Sequence, residues 1–344
     1  MPLELSRRNV LRLAALAPLY PILGQTQEAA GKHSTVALVK GDQRRQNVTD
    51  ALTAIDHQIR PVLRTKKSVV IKVNNVSTTN QLAATHADSI HGILDYIQPR
   101  FKGPVFVVES SAGDTPQGFD TFGYNKVVQE HKNVSLIDLN REAKFKLVPM
   151  IDYDLHEKNA RMAARLYDPE AFIISAAMLK THNVAVATLS VKNMSLGAPL
   201  HGVGTDRWND KRVVHNGLRQ TLFNIFLAAQ SMKPYWGAAV IDGYEGMEGN
   251  GPGSGTPVPS RLAIASTDYV AADRVAVETM GINAAWMSTL QYCAQGGLGE
   301  FDLDKIDVVG AKIADVQKKY RLHTDIEREL EWMGPLTDLP KKIG

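Results

Sequence analysis

The stretch Ser68–Val73 reads Ser-Val-Val-Ile-Lys-Val, an almost unbroken β-branched run. A strand of that composition is covered on both faces, which is the situation of a strand inside a parallel sheet. Strand-like segments recur at Thr35–Lys40, Val105–Glu109, Val134–Asp138, Ala171–Ala177, Trp236–Asp242, Arg261–Ser266 and Ile306–Val309. Helix-like segments separate many of them, at Val48–Ile59, Asp88–Ile97, Tyr124–His131, Leu218–Met232 and Val270–Met280, with Leu218–Met232 the most clearly amphipathic. The alternation predicts an α/β chain: a mostly parallel β-sheet flanked by helices, built as one large domain or as two lobes with a cleft at the C-terminal ends of the strands. Ligands of open α/β sheets sit at those ends. The polar residues that close each strand are therefore the ones to read.

Two strands end abruptly in polar residues, Lys72-Val73-Asn74-Asn75 and Glu109-Ser110-Ser111-Ala112-Gly113-Asp114. Turn and capping chemistry explains such residues as readily as a pocket does. The densest group follows the strand at Ala171: Lys180-Thr181-His182, then Thr188, Lys192-Asn193, Gly197 and His215. A lone histidine is ordinarily structural, but two lysines and two histidines behind one apolar strand point to an anionic ligand or to proton transfer, because a buried lysine is costly unless paired or used. On this reading His182, His215 and Lys180 are the candidate catalytic residues. Lys72, Asn74, Glu109, Lys192 and Asn193 are candidates for holding a small anionic ligand or cofactor.

From Asp242 to Gly255 there are six glycines in fourteen residues, directly after a strand. Glycine lets backbone amides turn toward an anion, so Gly251, Gly253 and Gly255 join the cofactor-binding candidates. The spacing matches neither the phosphate-binding loop of nucleotide hydrolases nor the dinucleotide fingerprint. Alternatively, Asp242, Glu245 and Glu248 supply oxygen ligands for a hard cation. The metal candidates are His215, Asp242 and Glu245, with a flexible lid as the plainer explanation of the loop. Asp268 reads as a helix N-cap, whereas Asp273 stands inside an apolar helix. Ser110 and Ser111 lack the context of a hydrolase nucleophile.

The N-terminus carries Ser6-Arg7-Arg8-Asn9-Val10-Leu11-Arg12 ahead of an apolar run from Leu13 to Leu23. This resembles a twin-arginine (Tat) export signal. The run is shorter than the roughly 20 apolar residues that span a bilayer, and Pro18 and Pro21 interrupt it. The expectation is a periplasmic or otherwise exported protein, handled by the Tat translocon, with no stable transmembrane anchor. The leader occupies residues 1–31, the α/β domain 32–310, and C-terminal helices with a tail 311–344. Of the formal net charge of +3, leader residues Glu4, Arg7, Arg8 and Arg12 contribute +2, so the body is close to neutral. It shows no basic stripe with interleaved aromatics, which argues against nucleic acid. One cysteine, Cys293 in an apolar stretch, rules out an iron–sulfur cluster held by this chain alone and reads as a buried thiol.

Taken in order, Lys72-x-Asn74, Glu109-Ser110-Ser111, Lys180-Thr181-His182, Thr188-x-x-x-Lys192-Asn193 with Gly197, His215, Asp242-Gly243, Glu245 to Gly255, Asp268 to Asp273 and Gly297-Leu298-Gly299 resemble the prokaryotic family called domain of unknown function 362. The resemblance runs from Val36 to Gly310. Many members carry ferredoxin-type cysteine clusters beside this domain, and this chain has none. A remoter similarity is to the nickel-pincer lactate racemases, in which a catalytic histidine is followed by a cofactor-bearing lysine and a metal-binding histidine. That similarity implies His182 as acid/base, Lys192 as the cofactor's attachment point and His215 as metal ligand. The functional expectation is an exported enzyme, racemase/epimerase or oxidoreductase-like, that uses a metal ion or nucleotide-derived cofactor on a small anionic substrate. A binding protein without catalysis and a divalent-metal hydrolase built on Asp242, Glu245, Glu248 and Asp273 are the competing readings.

Overall fold

The computed structural model describes residues 33–334. The twin-arginine pattern and the apolar run after it lie outside these residues. Twelve strands account for most of the segments read from sequence. Eight of them form one path, in the order β12-β1-β11-β9-β7-β2-β3-β4. These are β1 (Ser34–Lys40), β2 (Ser68–Lys72), β3 (Val105–Glu109), β4 (Val134–Asp138), β7 (Ala171–His182), β9 (Trp236–Glu248), β11 (Leu262–Ser266) and β12 (Ile306–Gly310). Pairing is parallel throughout β4, β3, β2, β7 and β9, and again between β1 and β12. Along this path only β11 runs against its neighbours on both sides. The sheet is thus mixed and mostly parallel.

The short strands β8 (Val186–Ala187) and β10 (Thr256–Val258) extend it by pairing with β7 and β9. A separate hairpin, β5 (Phe145–Ile151) with β6 (Glu157–Ala163), was not expected from the sequence. The Phe145–Ile151 strand is apolar but for Lys146, yet much of it is exposed, and Pro149 in its middle argues against a strand.

Seven helices shape the core and the polar strand ends: α1 (Arg44–Ala54), α2 (Ala87–Ile97), α3 (Leu189–Gly197), α4 (Lys211–Val214), α5 (Leu218–Met232), α6 (Tyr269–Thr279) and α7 (Ile326–Glu329). Helices cover both sheet faces. One apolar cluster joins α3, α5 and α6 to Val70, Val108, Ile173 and Ile241. The other joins α1 and α2 to Val69, Ile71, Ile174 and Val240. Alternate residues of one strand feed opposite clusters, as a strand buried on both faces requires. Among the described residues, no helix is long and apolar enough to cross a membrane. Cys293 is a buried free thiol whose pKa burial pushes up to about 12. Asp268 caps α6 by accepting from the backbone N–H groups of Val270 and Ala271.

β7 is the exceptional strand. All twelve of its residues are buried, including Lys180, Thr181 and His182 at its polar end. The sequence suggested that the strand stops before these residues; it runs on through them because β8 folds back over the end and covers it.

Candidate functional site

The ends of β2, β3 and β7 converge with α3 and α4 on one cavity of about 340 Å³. Its walls carry Lys72, Asn74 and Asn75 from the end of β2, Glu109, Ser110 and Ser111 from β3, and His182 from β7. Lys192 of α3, Lys211 of α4, His215 and Pro252 complete the polar and upper walls.

At the floor Lys72 and Glu109 form an ion pair of 2.5 Å, with the two residues 1% and 2% exposed. Glu109 is fully engaged: one oxygen accepts from Lys72 and from the Ser110 N–H, the other from the Asn75 N–H. Burial pushes the Lys72 pKa down, and Glu109 opposes that push. A Cβ at position 197 would lie 2.6 Å from Lys72 Nζ, so a larger residue there would have to push the ammonium aside. Asn193 ties the same elements together, donating to the Lys72 carbonyl and Ser175 Oγ and accepting from Asn74 Nδ2.

Lys192 is buried, and its amine has no hydrogen-bond partner among the described residues; burial, reinforced by the charge of Lys211, lowers its pKa to about 7. Lys211 donates to the Pro199 carbonyl at 2.7 Å and Ser110 Oγ at 3.2 Å. Its pKa is also lowered to about 7, again chiefly by burial. Two amines near neutrality in one cavity are unusual, since an exposed lysine titrates near 10.4.

The two histidines are held in opposite tautomers. His182 Nδ1 accepts from the Val184 N–H at 3.0 Å, so its neutral ring carries the proton on Nε2 and presents a donor. Burial, followed by the charges of Lys192 and Lys180, holds its pKa well below the usual histidine value. His215 Nδ1 lies 2.8 Å from the Lys211 carbonyl, which can only accept, so His215 donates from Nδ1 and keeps a lone pair on Nε2. His215 is exposed at the rim, but the surrounding walls and then Lys192 still push its pKa downward. The cavity therefore holds one imidazole able to donate and one able to take a proton.

The segment bearing these groups is strained. Val186 and Leu189 have φ of 62° and 52°, which a β-branched or bulky residue adopts at a cost of about 1–3 kcal/mol. Distant carboxylates pin both. Glu329 of α7, fully buried, accepts from the Val186 N–H at 2.7 Å. Asp273 of α6 accepts from the Ser190 and Val191 N–H groups at 2.7 and 2.9 Å, capping α3. Burial pushes Asp273 up to about 8 despite these two donors.

Residues 69–278, well over half of the chain, match the family described as Domain of unknown function (DUF362). The chain belongs to that family. No curated protein matches it. Among solved structures, a protein from Thermotoga maritima aligns at 11% identity with a TM-score of 0.38. That alignment covers 59% of this chain and 51% of the other, so the DUF362 chain spans about half the length of that protein.

Of the residues singled out from sequence, Lys72, Asn74, Glu109, His182, Lys192 and His215 line this one cavity of the DUF362 chain. Lys180 does not line it. Its amine is fully buried behind the wall, donates to the Ala83 carbonyl, and is driven far below the ordinary lysine pKa by burial. Asn193 is likewise a tie rather than a lining residue.

The glycine loop contributes Pro252 to the cavity, but not Gly251, Gly253 or Gly255. Gly251 is glycine because a Cβ there would collide with the Thr181 carbonyl oxygen. The Gly253 carbonyl accepts from Asn80. Gly255 packs against Glu248 and Met247.

The proposed metal set is not assembled: no group of three or more candidate ligands occurs among the described residues. Asp242 faces Arg44 of α1 at 3.2 Å and accepts from the Tyr244 N–H, while Glu245 is exposed. Glu248 pairs with Arg321, and Asp273 is committed to α3. The carboxylates spread around the strand end because Asp242, Glu248 and Asp273 each meet their own partner and Glu245 faces solvent.

Lys211 and Pro252 were not picked out from the sequence, and Asn75 was read only as part of the polar end of β2. Lys211 sits on a four-residue helix with no strand-end signal.

Proposed function

We propose that this protein is an enzyme that moves a proton at a carbon beside a carbonyl group of a small anionic molecule, with Lys192 as its nucleophile. The observation that carries this reading is the Lys192 amine: buried, without a hydrogen-bond partner among the described residues, open to the cavity, and with its pKa lowered to about 7 by burial. About half of such an amine is uncharged at neutral pH, and the uncharged form can attack a carbonyl carbon. Loss of water leaves a protonated imine, which makes the neighbouring C–H acidic. His215 Nε2 takes that proton and returns it to the same carbon, and water then hydrolyses the imine to release the carbonyl product and the free Lys192 amine. His182 Nε2–H donates to the carbonyl oxygen as it becomes the departing hydroxyl. Lys211 and the Lys72–Glu109 pair hold the anionic end. The outcome is an isomerase or epimerase reaction.

A second reading has Lys192 carrying an organic cofactor covalently, with a metal on His215. One observation favours it: a histidine whose Nδ1–H is fixed by a carbonyl and whose Nε2 is free is arranged as metal-bound histidines are. Lys192 and His215 fit those roles. His182 does not fit as a ligand through Nε2, since its Nδ1 already accepts from a backbone N–H. A bound metal would polarise a substrate oxygen.

Export is part of the proposal, supported by the Ser6–Arg12 pattern. Replacing Arg7 and Arg8 by Lys should retain the protein in the cytoplasm.

The enzyme reading is tested with a panel of small 2-oxo acids and keto sugars in D₂O. Deuterium should enter the carbon beside the carbonyl, and borohydride should fix a substrate-sized mass on Lys192. Binding without exchange and without an adduct would instead leave a carrier. A mass already present on Lys192 in protein from its native host, together with a stoichiometric metal, would favour the second reading.

A further inference from the structure

We infer that the cavity takes a ligand carrying two negative charges rather than one. This deepens the proposal above and rests on it only for the location of the site. The charge inventory of the walls carries the inference. Three side-chain amines open on the cavity, those of Lys72, Lys192 and Lys211. Glu109 is the one carboxylate among the lining residues, and Lys72 and two backbone N–H groups consume it. Lys211 is hydrogen-bonded only to neutral oxygens, and the Lys192 amine has no hydrogen-bond partner among the described residues. Two cation positions thus face the cavity with no counter-charge.

The neutral groups point the same way. Ser111 Oγ, on a residue that lines the cavity, is buried without a hydrogen-bond partner and can donate. A buried donor left unpaired costs free energy that an anion's oxygens recover. Asn74 Oδ1 is also unpaired and suits a ligand hydroxyl. The volume of about 340 Å³ is at the small end for ligand pockets, so the charges belong to a compact molecule.

The groups that face the two amines explain how the site tolerates this excess. Around Lys192 stand Lys180 and His182 of β7, Lys211 and His215, and none of these is an anion. Around Lys211 stand Lys72 and the already committed Glu109. Asp273 touches α3 only at its N-terminal amides, and His323 faces His182. With no anion of their own, both amines shed protons near pH 7. A dianion restores them. Binding above neutrality is therefore accompanied by proton uptake, and a monoanion restores at most one of the two.

The test is calorimetric titration of the full chain at pH 8 with succinate, glycerol phosphate and propionate, each in Tris and in HEPES. Succinate separates its charges and the phosphate ester concentrates them, so the better of the two reports how the charges are spaced. At least one dianion should bind about tenfold or more tighter than propionate, as expected for one additional close charge pair. Its heat should differ between the buffers by the equivalent of about one to two protons, and Lys211→Met should remove about half of that uptake. Propionate binding as tightly as both dianions, a buffer-independent heat, or no binding by either dianion would overturn the inference. The outcomes separate from those of the enzyme reading. Dianion binding without a borohydride adduct leaves this inference standing alone, and an adduct formed only with monoanionic oxo acids does the reverse.

Discussion

Replacing Lys192 by methionine should stabilise this protein while destroying its chemistry. The native Lys192 pKa is about 7, against an ordinary value of 10.5. Between these two values the unfolded chain holds a proton that the folded chain has released, so stability rises with pH across that window. At and below pH 7 the fold bears the full cost of the difference. About 3.5 pKa units at about 1.4 kcal/mol each give a ceiling of about 5 kcal/mol. Water in the cavity and relaxation of the walls lower this to about 2–4 kcal/mol, the upper part of the roughly 1–4 kcal/mol gained when buried charges give way to apolar groups of similar size. Methionine keeps the length of the side chain and has nothing to ionise. Urea denaturation at pH 7, 8, 9 and 10 measures the difference between Lys192→Met and the parent protein. The variant should lead by about 2–4 kcal/mol at pH 7, and the lead should shrink steadily toward pH 10. A variant no more stable than the parent at pH 7, or a lead independent of pH, would refute the claim that the fold holds this amine uncharged.

The ion pair at the floor predicts the opposite outcome: Glu109→Gln strands the Lys72 ammonium and should cost roughly 3–5 kcal/mol in the same assay at pH 7. Asp273→Asn leaves either the Ser190 or the Val191 N–H facing an amide donor. It should cost about 1–3 kcal/mol and also slow borohydride trapping at Lys192, because α3 loses its anchor. Ala143 is exposed with φ of 53°, a conformation glycine adopts freely, so Ala143→Gly should raise the urea midpoint by the equivalent of about 1 kcal/mol.

Local patterning made much of the scaffold legible. The observed bounds of Val105–Glu109, Val134–Asp138 and Leu218–Met232 are those read from sequence, since each element's apolar spacing is written in its own residues. The hairpin Phe145–Ile151 with Glu157–Ala163 escaped because Pro149 interrupts the first strand and the polar start of the second, Glu157-Lys158-Asn159, reads as loop. Helix Leu189–Gly197 escaped for a different reason. Serine, valine, asparagine and glycine make it a poor helix former, and the carboxylate that caps it lies 83 residues away at Asp273.

The same contrast holds for the site. Lys72, Asn74, Glu109, His182, Lys192 and His215 were found because they close strands or follow a strand end. Lys211 comes from an irregular connection and was not found. Glu329 lies in what reads as a tail, yet it holds the strained Val186 from outside the matched region. Asp242 and Glu245 misled as metal ligands, since a string of acids after a strand does not reveal that Arg44 already faces one of them and solvent the other. Sequence spacing shows which residues end strands, whereas partners are set by tertiary packing.

The most direct test of the central claim is the titration of Lys192 itself, read as the pH dependence of its acetylation by trace acetic anhydride and quantified by peptide mass spectrometry against exposed lysines. Lys192 should become half-reactive near pH 7, with exposed lysines reaching that point near 10.4. A Lys192 that titrates together with the exposed lysines would contradict the claim.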